Sequence, residues 1–254
     1  MSSSHETKIH LEPLIKWSGG KKDEITHILP HIPSEFTLCL EPFIGGGALF
    51  FYLQPSHAVI NDVHPELIDF YKAIKDGYGK DIYQFMENHP NHQDIYYNVR
   101  SMVPSTSIEN AKRFYYLRKT CFRGMMRYNK KGQFNIPYGR YKTCNYELIN
   151  KKNYETLLQR TTIYNHDFEY IFKQYNDPSH FMFLYPPYDS EFTDYGYCHF
   201  GCEEHKRLAK CFKETKIKCL MVIGKTDFIK ELYNDYIVHE YQKKNIVLNY
   251  ILDE

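Results

Sequence analysis

Three stretches of the chain bring together residue types that can do chemistry. The apolar run from His180 ends in Tyr185-Pro186-Pro187-Tyr188. A proline has no N–H but keeps its carbonyl, so this rigid corner presents a fixed acceptor beside a ring face, which suits the clamping of a planar base. A proline-rich turn leaving a buried strand reads the same way. The second stretch, Leu38 to Gly47, is a strand pattern running into Gly45-Gly46-Gly47 and then a helical pattern from Ala48. Glycines there let the backbone approach a ligand, and an open α/β sheet binds ligands beyond the carboxyl ends of its strands. A tight turn alone would also use them. Neither the Gly-Lys-Ser/Thr phosphate loop nor the Gly-x-Gly-x-x-Gly dinucleotide pattern is present. In the third stretch, Asn61-Asp62 closes a strand pattern at the offset where an acid meets ribose hydroxyls. An Asp capping a helix that starts at His64-Pro65 is the competing reading.

Positioning these groups takes alternating strands and helices. Strand-like runs at Leu38 to Glu41, Ala58 to Asn61, Thr162 to Asn165, Phe181 to Tyr185 and Cys219 to Ile223 are separated by amphipathic stretches of helical length. A helix at Asp227 to Tyr233 and two β-rich runs, Tyr236 to Gln242 and Ile246 to Leu252, predict a terminal hairpin through Lys243-Lys244-Asn245. Between Tyr71 and Glu155 the alternation lapses into helical patterns (Asp81 to Arg100, Glu109 to Thr120) and an irregular Gly/Asn/Lys-rich segment, Gly124 to Tyr141. This stretch reads as an inserted lobe.

The lobe is also where the charge lies. The formal net charge is +1, yet Lys112 to Arg160 holds 13 Lys or Arg against Glu147 and Glu155, leaving the rest of the chain acidic. The basic residues are interleaved with Tyr115, Tyr116, Phe122, Tyr128, Phe134, Tyr138 and Tyr141. That is the composition of a nucleic-acid grip, with a solvated lysine-rich surface as the bland alternative. The 254 residues, 43% hydrophobic, suffice for one large core with a lobe. No apolar run approaches the roughly 18 residues that span a bilayer, and Met-Ser-Ser-Ser-His-Glu lacks signal-peptide features. The 7 scattered cysteines suit reduced thiols, so a cytoplasmic protein is expected. Cys198, His199, Cys202 and His205 match no zinc spacing, and no metal is expected.

Together these stretches resemble the Dam-type DNA adenine-N6 methyltransferases, the alpha group of class I enzymes that use S-adenosylmethionine. The likeness runs from Lys16-Trp17-Ser18-Gly19-Gly20-Lys21 through Glu41 to Gly47, Asn61-Asp62, Arg123 to Asn129, Gly132 to Gly139 and His166-Asp167-Phe168 to the Pro-Pro-Tyr corner, in the family's order. It implies an α/β fold, a class I methyltransferase Rossmann-like mixed sheet with helices on both faces and an inserted, mainly helical DNA-recognition lobe. The catalytic core would be residues 1–70 and 156–254, the lobe residues 71–155. Trp17, Lys21, Phe43, Gly45, Gly46, Gly47, Asp62, Asp167 and Phe168 would line the S-adenosylmethionine pocket. Lys16 and Arg127 would touch bases of a short palindromic, GATC-like site in double-stranded DNA, with Arg123, Asn129, Pro137 and Tyr138 nearby and Lys130 and Lys131 on phosphates. A monomer, and a restriction endonuclease partner in the same system, are further implications.

The main departure is at Tyr185, where the family's motif reads Asp-Pro-Pro-Tyr. That carboxylate and the first proline's carbonyl accept the N6 hydrogens of a flipped adenine, while the tyrosine, here Tyr188, stacks on it. A phenol is a weak acceptor, uncharged near neutral pH and larger than a carboxyl group. The catalytic set thus becomes Tyr185, Pro186, Pro187 and Tyr188, with impaired transfer expected. Asp189 and Asp194 would have to swing back past a rigid turn to replace the missing acid. Arg123 stands where a neutral polar residue is expected. Two other readings accommodate the same residues: an inactive methyltransferase fold that only binds DNA or cofactor, and an RNA adenine methyltransferase.

Overall fold

Short, wholly apolar runs bounded by polar turns make the central strands. The computed structural model describes residues 10–17, 24–188 and 200–241 and the backbone of 245–250. Its strands are β1 (Cys39–Glu41), β2 (Ala58–Asn61), β3 (Thr161–Tyr164), β4 (Phe181–Leu184), β5 (Lys218–Gly224), β6 (Ile237–Tyr241) and β7 (Asn245–Tyr250), joined in a 7-stranded sheet of order β3-β2-β1-β4-β5-β7-β6. The first five are parallel, and β7 runs antiparallel between β5 and β6. Every position of β1, β2 and β4 is buried, as continuous apolar strands covered on both faces must be. The terminal hairpin is present as expected, and its connecting residues 242–244 lie outside the described set.

Ten α-helices are found among the described residues: α1 (Ile25–Ile28), α2 (Ala48–Leu53), α3 (Pro65–Lys75), α4 (Gly79–Asn88), α5 (Gln93–Ser101), α6 (Ser107–Thr120), α7 (Lys152–Gln159), α8 (Phe168–Gln174), α9 (Cys202–Glu214) and α10 (Asp227–Tyr233). Strand side chains alternate between two cores. Cys39, Ile60, Phe181, Phe183, Leu220 and Val222 face α2, α3, α6 and α7, whereas Leu40, Val59, Met182, Leu184, Met221 and Ile223 face α8, α9 and α10. The mixed sheet with helices on both faces is the architecture that the resemblance implied.

The helix expected over Asp81 to Arg100 is two helices. Pro90 has no N–H for the ladder and disfavours helical backbone at His89, which sits at φ −125, ψ 74. The helix expected from Glu109 starts at Ser107 because Thr106 caps it, its hydroxyl accepting from the Glu109 N–H. The 70/71 boundary falls inside α3, which packs along α6, and one hydrophobic cluster runs from the sheet through α3 into α4, α5 and α6. The segment 124–141 is irregular as read, fastened by isolated bridges Cys121–Tyr138 and Tyr128–Phe134.

Candidate active site

The order 3-2-1-4-5 reverses between β1 and β4, so a crevice opens at the carboxyl ends of these strands. All the chemistry-bearing stretches end there. After β1 the chain turns through Gly45 (φ +45) and Gly47 (φ +68), and Trp17 lies on the turn. A Cβ on Gly45 would sit 2.7 Å from Trp17 Cδ1, so both the left-handed backbone and the close ring require glycine.

Asp62 follows β2 and folds back onto that turn: Oδ2 accepts the Gly45 N–H at 3.0 Å and Oδ1 the His64 N–H at 3.0 Å. The helix cap is instead His64, whose Nδ1 accepts the Leu67 N–H. Burial raises the Asp62 carboxyl to about 6, against the pull of its backbone hydrogen bonds. Glu41, at the end of β1, is pushed by burial to about 8, and its Oε1 finds no hydrogen-bond partner among the described residues. Two buried carboxyls therefore flank the glycine turn.

Phe43 and Phe168 meet beside them, ring centroids 5.4 Å apart. Asp167 Oδ1 caps α8 through the Glu169 N–H and accepts from Arg207, whose guanidinium lies over the Phe168 ring. Lys21 lies outside the described residues, as do Asp189, Asp194, Cys198 and His199. Carboxyls that can take sugar hydroxyls, two aromatic rings and a glycine turn fit an adenosyl ligand. The cleft of about 450 Å³ between α4 and α7 contains none of these residues.

At the corner after β4, Tyr185 is half-buried, its ring nearly parallel to Phe183. Its hydroxyl shares a 2.6 Å hydrogen bond with the Tyr188 hydroxyl. Burial and then Tyr188 hold the Tyr185 phenol well above its ordinary value, so it is neutral. The Tyr188 ring rests on Gly224 at the end of β5, where a Cβ would meet Tyr188 Cγ at 3.4 Å.

Beside the crevice, the segment after α6 exposes Phe122, Arg123, Met125, Arg127, Lys130, Lys131 and Pro137, with Lys16 exposed next to it. Arg127 Nε donates to Asn135 Oδ1 at 2.8 Å, which fixes the plane of its guanidinium. Lys16 Nζ sits over the Tyr141 ring. Asn129 differs: Oδ1 accepts the N–H of Lys131 and Gln133, and Nδ2 donates to Gln133, so its side chain builds the turn. Tyr138 points its hydroxyl at the Asn91 carbonyl between α4 and α5.

A family model described as D12 class N6 adenine-specific DNA methyltransferase matches residues 17–246. The chain belongs to this family. It is 56% identical over 236 residues to the Type II methyltransferase M.CviBI of Paramecium bursaria Chlorella virus NC1A, covering 92% of this chain and 91% of that one. It is also 35% identical to the Type II methyltransferase M1.LlaDCHI of Lactococcus lactis subsp. cremoris, over 94% of this chain and 90% of the relative. To the DNA adenine methylase of Haemophilus influenzae it is 30% identical, over 91% and 86% respectively. An adenine-specific DNA methyltransferase is thus favoured over both the RNA enzyme and the purely binding protein.

In the methyltransferase, several residues that sequence reading left without a role hold this site together. Asn61 Nδ2 donates to the carbonyls of Pro42 and His166 while Oδ1 accepts the His166 N–H, locking the ends of β1, β2 and β3. Arg118, 1% exposed, donates to the carbonyls of Met125 and Lys16 and lies over Trp17. Its signal is faint: with Ala111, Phe114 and Tyr115 it occupies an i, i+3, i+4, i+7 stripe that faces the core.

Proposed function

We propose that this methyltransferase takes S-adenosylmethionine in the pocket formed by Trp17, Lys21, Phe43, Gly45, Gly46, Gly47, Asp62, Asp167 and Phe168. It acts on N6 of an adenine flipped from a short palindromic duplex site, slowly, because Tyr185 replaces a carboxylate. The observation that carries this reading is the convergence of the glycine turn, Asp62 and the Pro-Pro-Tyr corner at the sheet's switch point, with an exposed basic loop alongside. When bound, the cofactor supplies an electrophilic methyl group. Asp62 orients its ribose, and the paired rings of Phe43 and Phe168 form an apolar wall beside its adenine. The Pro186 carbonyl accepts one N6 hydrogen, and Tyr188 stacks on the flipped base.

Residues 71–155 form the recognition lobe. Arg127 reads a base, Lys16 and Arg123 lie at the same groove, and Lys130 and Lys131 hold phosphates, with Pro137 at the rim. Phe122 and Met125 suit a wedge beside the flipped base. Asn129 and Tyr138 hold the loop's shape. The relatives named Type II methyltransferases support a place beside a restriction endonuclease, and we place the protein in the cytoplasm as a monomer. Among the described residues no helix is long and apolar enough to cross a membrane.

Incubation with methyl-tritiated S-adenosylmethionine and either duplex DNA or RNA tests the reading. Label should enter adenine of the duplex alone, weakly for the natural chain and strongly for Tyr185→Asp. Label in RNA, or none in DNA with both proteins folded and cofactor-bound, would refute it.

A further inference from the structure

One residue of the DNA-reading loop is bonded directly into the start of α3, two residues from Asp62. His64 donates its backbone N–H to Asp62 Oδ1 at 3.0 Å, and its Nδ1 accepts the Leu67 N–H at 3.2 Å. A ring nitrogen that accepts from an amide carries a lone pair, so the ring proton is on Nε2. Burial pushes the His64 imidazole down to about 3, which keeps it neutral. Nε2–H therefore donates to the Tyr128 hydroxyl at 2.9 Å, and that hydroxyl donates to Glu66 Oε2 at 2.5 Å. Glu66 Oε1 in turn accepts from Arg113 at 3.2 Å, and Arg113 is 8% exposed. The donors from His64 and from Arg113 thus converge on the Glu66 carboxylate, with the Tyr128 hydroxyl relaying the first.

Tyr128 stands between Arg127, whose guanidinium is held by Asn135, and Asn129, which builds the following turn. A movement of Tyr128 carries both. At the other end, a ligand whose hydroxyls bond Asp62 fixes the backbone of His64 and so the direction of its ring. The geometry points to Tyr128 as a positioning residue that couples the cofactor pocket to the DNA-reading turn. Through its hydroxyl, cofactor at Asp62 and a base at Arg127 each strengthen the binding of the other, by the same factor in both directions. This rests on the site assignment proposed above.

The test is calorimetry of S-adenosylhomocysteine binding to the full chain, alone and with a saturating duplex enriched from a randomised pool by binding to that chain. The natural protein should bind the ligand about five-fold or more tightly with duplex present, the lower end of ordinary coupling. Tyr128→Phe keeps the ring and removes the hydroxyl. Its affinity for ligand alone should stay within about two-fold of the natural value while the coupling factor falls towards one, because only the link between the sites is lost. His64→Asn retains a helix-capping side chain but is too short to reach Tyr128, and should lose the coupling equally. Tyr146→Phe deletes another tyrosine–glutamate bond, to Glu87, elsewhere in the lobe, and should keep it. Full coupling in Tyr128→Phe or His64→Asn, equal loss in Tyr146→Phe, or no coupling in a natural protein that binds both ligands would overturn the proposal. A folded natural protein that binds neither ligand would instead refute the site assignment, and the proposal with it.

Discussion

Tyr185 and Tyr188 share a hydrogen bond at the corner proposed to hold the target base, so on that reading a tyrosine at 185 acts on both residues. It puts a neutral phenol where the family's motif has a charged acceptor and also tethers the Tyr188 ring proposed to stack on the base. The buried carboxyls nearby make a separate prediction. Glu41 and Asp62 hold protons above their ordinary values of 4.5 and 3.8, up to about 8 and about 6. Between those limits the folded state binds more protons than the unfolded state, so their contribution to stability is present at low pH and is lost as pH rises. Glu41→Gln should therefore gain thermal stability relative to the natural chain as pH rises from about 5 to about 8. An unchanged difference in melting temperature across that range would show that Glu41 does not titrate there. Ligand hydroxyls and an ammonium group favour the ionised carboxyls. Cofactor affinity should accordingly rise with pH over the same window, with proton release visible as a buffer-dependent heat.

At the scale of elements, the proposed function divides the labour of the loop after α6. Arg127→Ala should cost about 1–3 kcal/mol on the cognate site and relax sequence preference, whereas Lys130→Ala and Lys131→Ala should weaken all duplexes and flatten the salt dependence. Equal losses for Arg127→Ala on cognate and random DNA, measured by fluorescence anisotropy, would reassign it to the backbone. The elements themselves were legible where their determinants are local. The buried strands announce themselves as apolar runs such as Phe181-Met182-Phe183-Leu184, and the glycine turn by three consecutive glycines. The break between α4 and α5 was missed although Pro90 marks it, because the apolar periodicity continues on both sides.

For the whole molecule, what escaped sequence reading is what joins distant segments. Asn61 reaches His166 across 105 residues, Arg118 reaches Lys16 across 102 and Tyr128 reaches Glu66 across 62, and no local pattern encodes such pairs. The strand order 3-2-1-4-5-7-6 is likewise a property of long-range packing. The departure at Tyr185 was legible because it interrupts a motif. Losing one preorganised hydrogen-bonding group at a reacting centre typically costs about 10²–10³ in rate, and bulk in the base pocket adds to that. The decisive measurement is single-turnover methylation of a cognate duplex by the natural chain and by Tyr185→Asp, with bound cofactor quantified in both. A rate increase of at least about 10²-fold in Tyr185→Asp, at equal cofactor occupancy, is the predicted result. A natural chain as fast as Tyr185→Asp, or faster, would contradict the account and show that the carboxylate is dispensable at this corner.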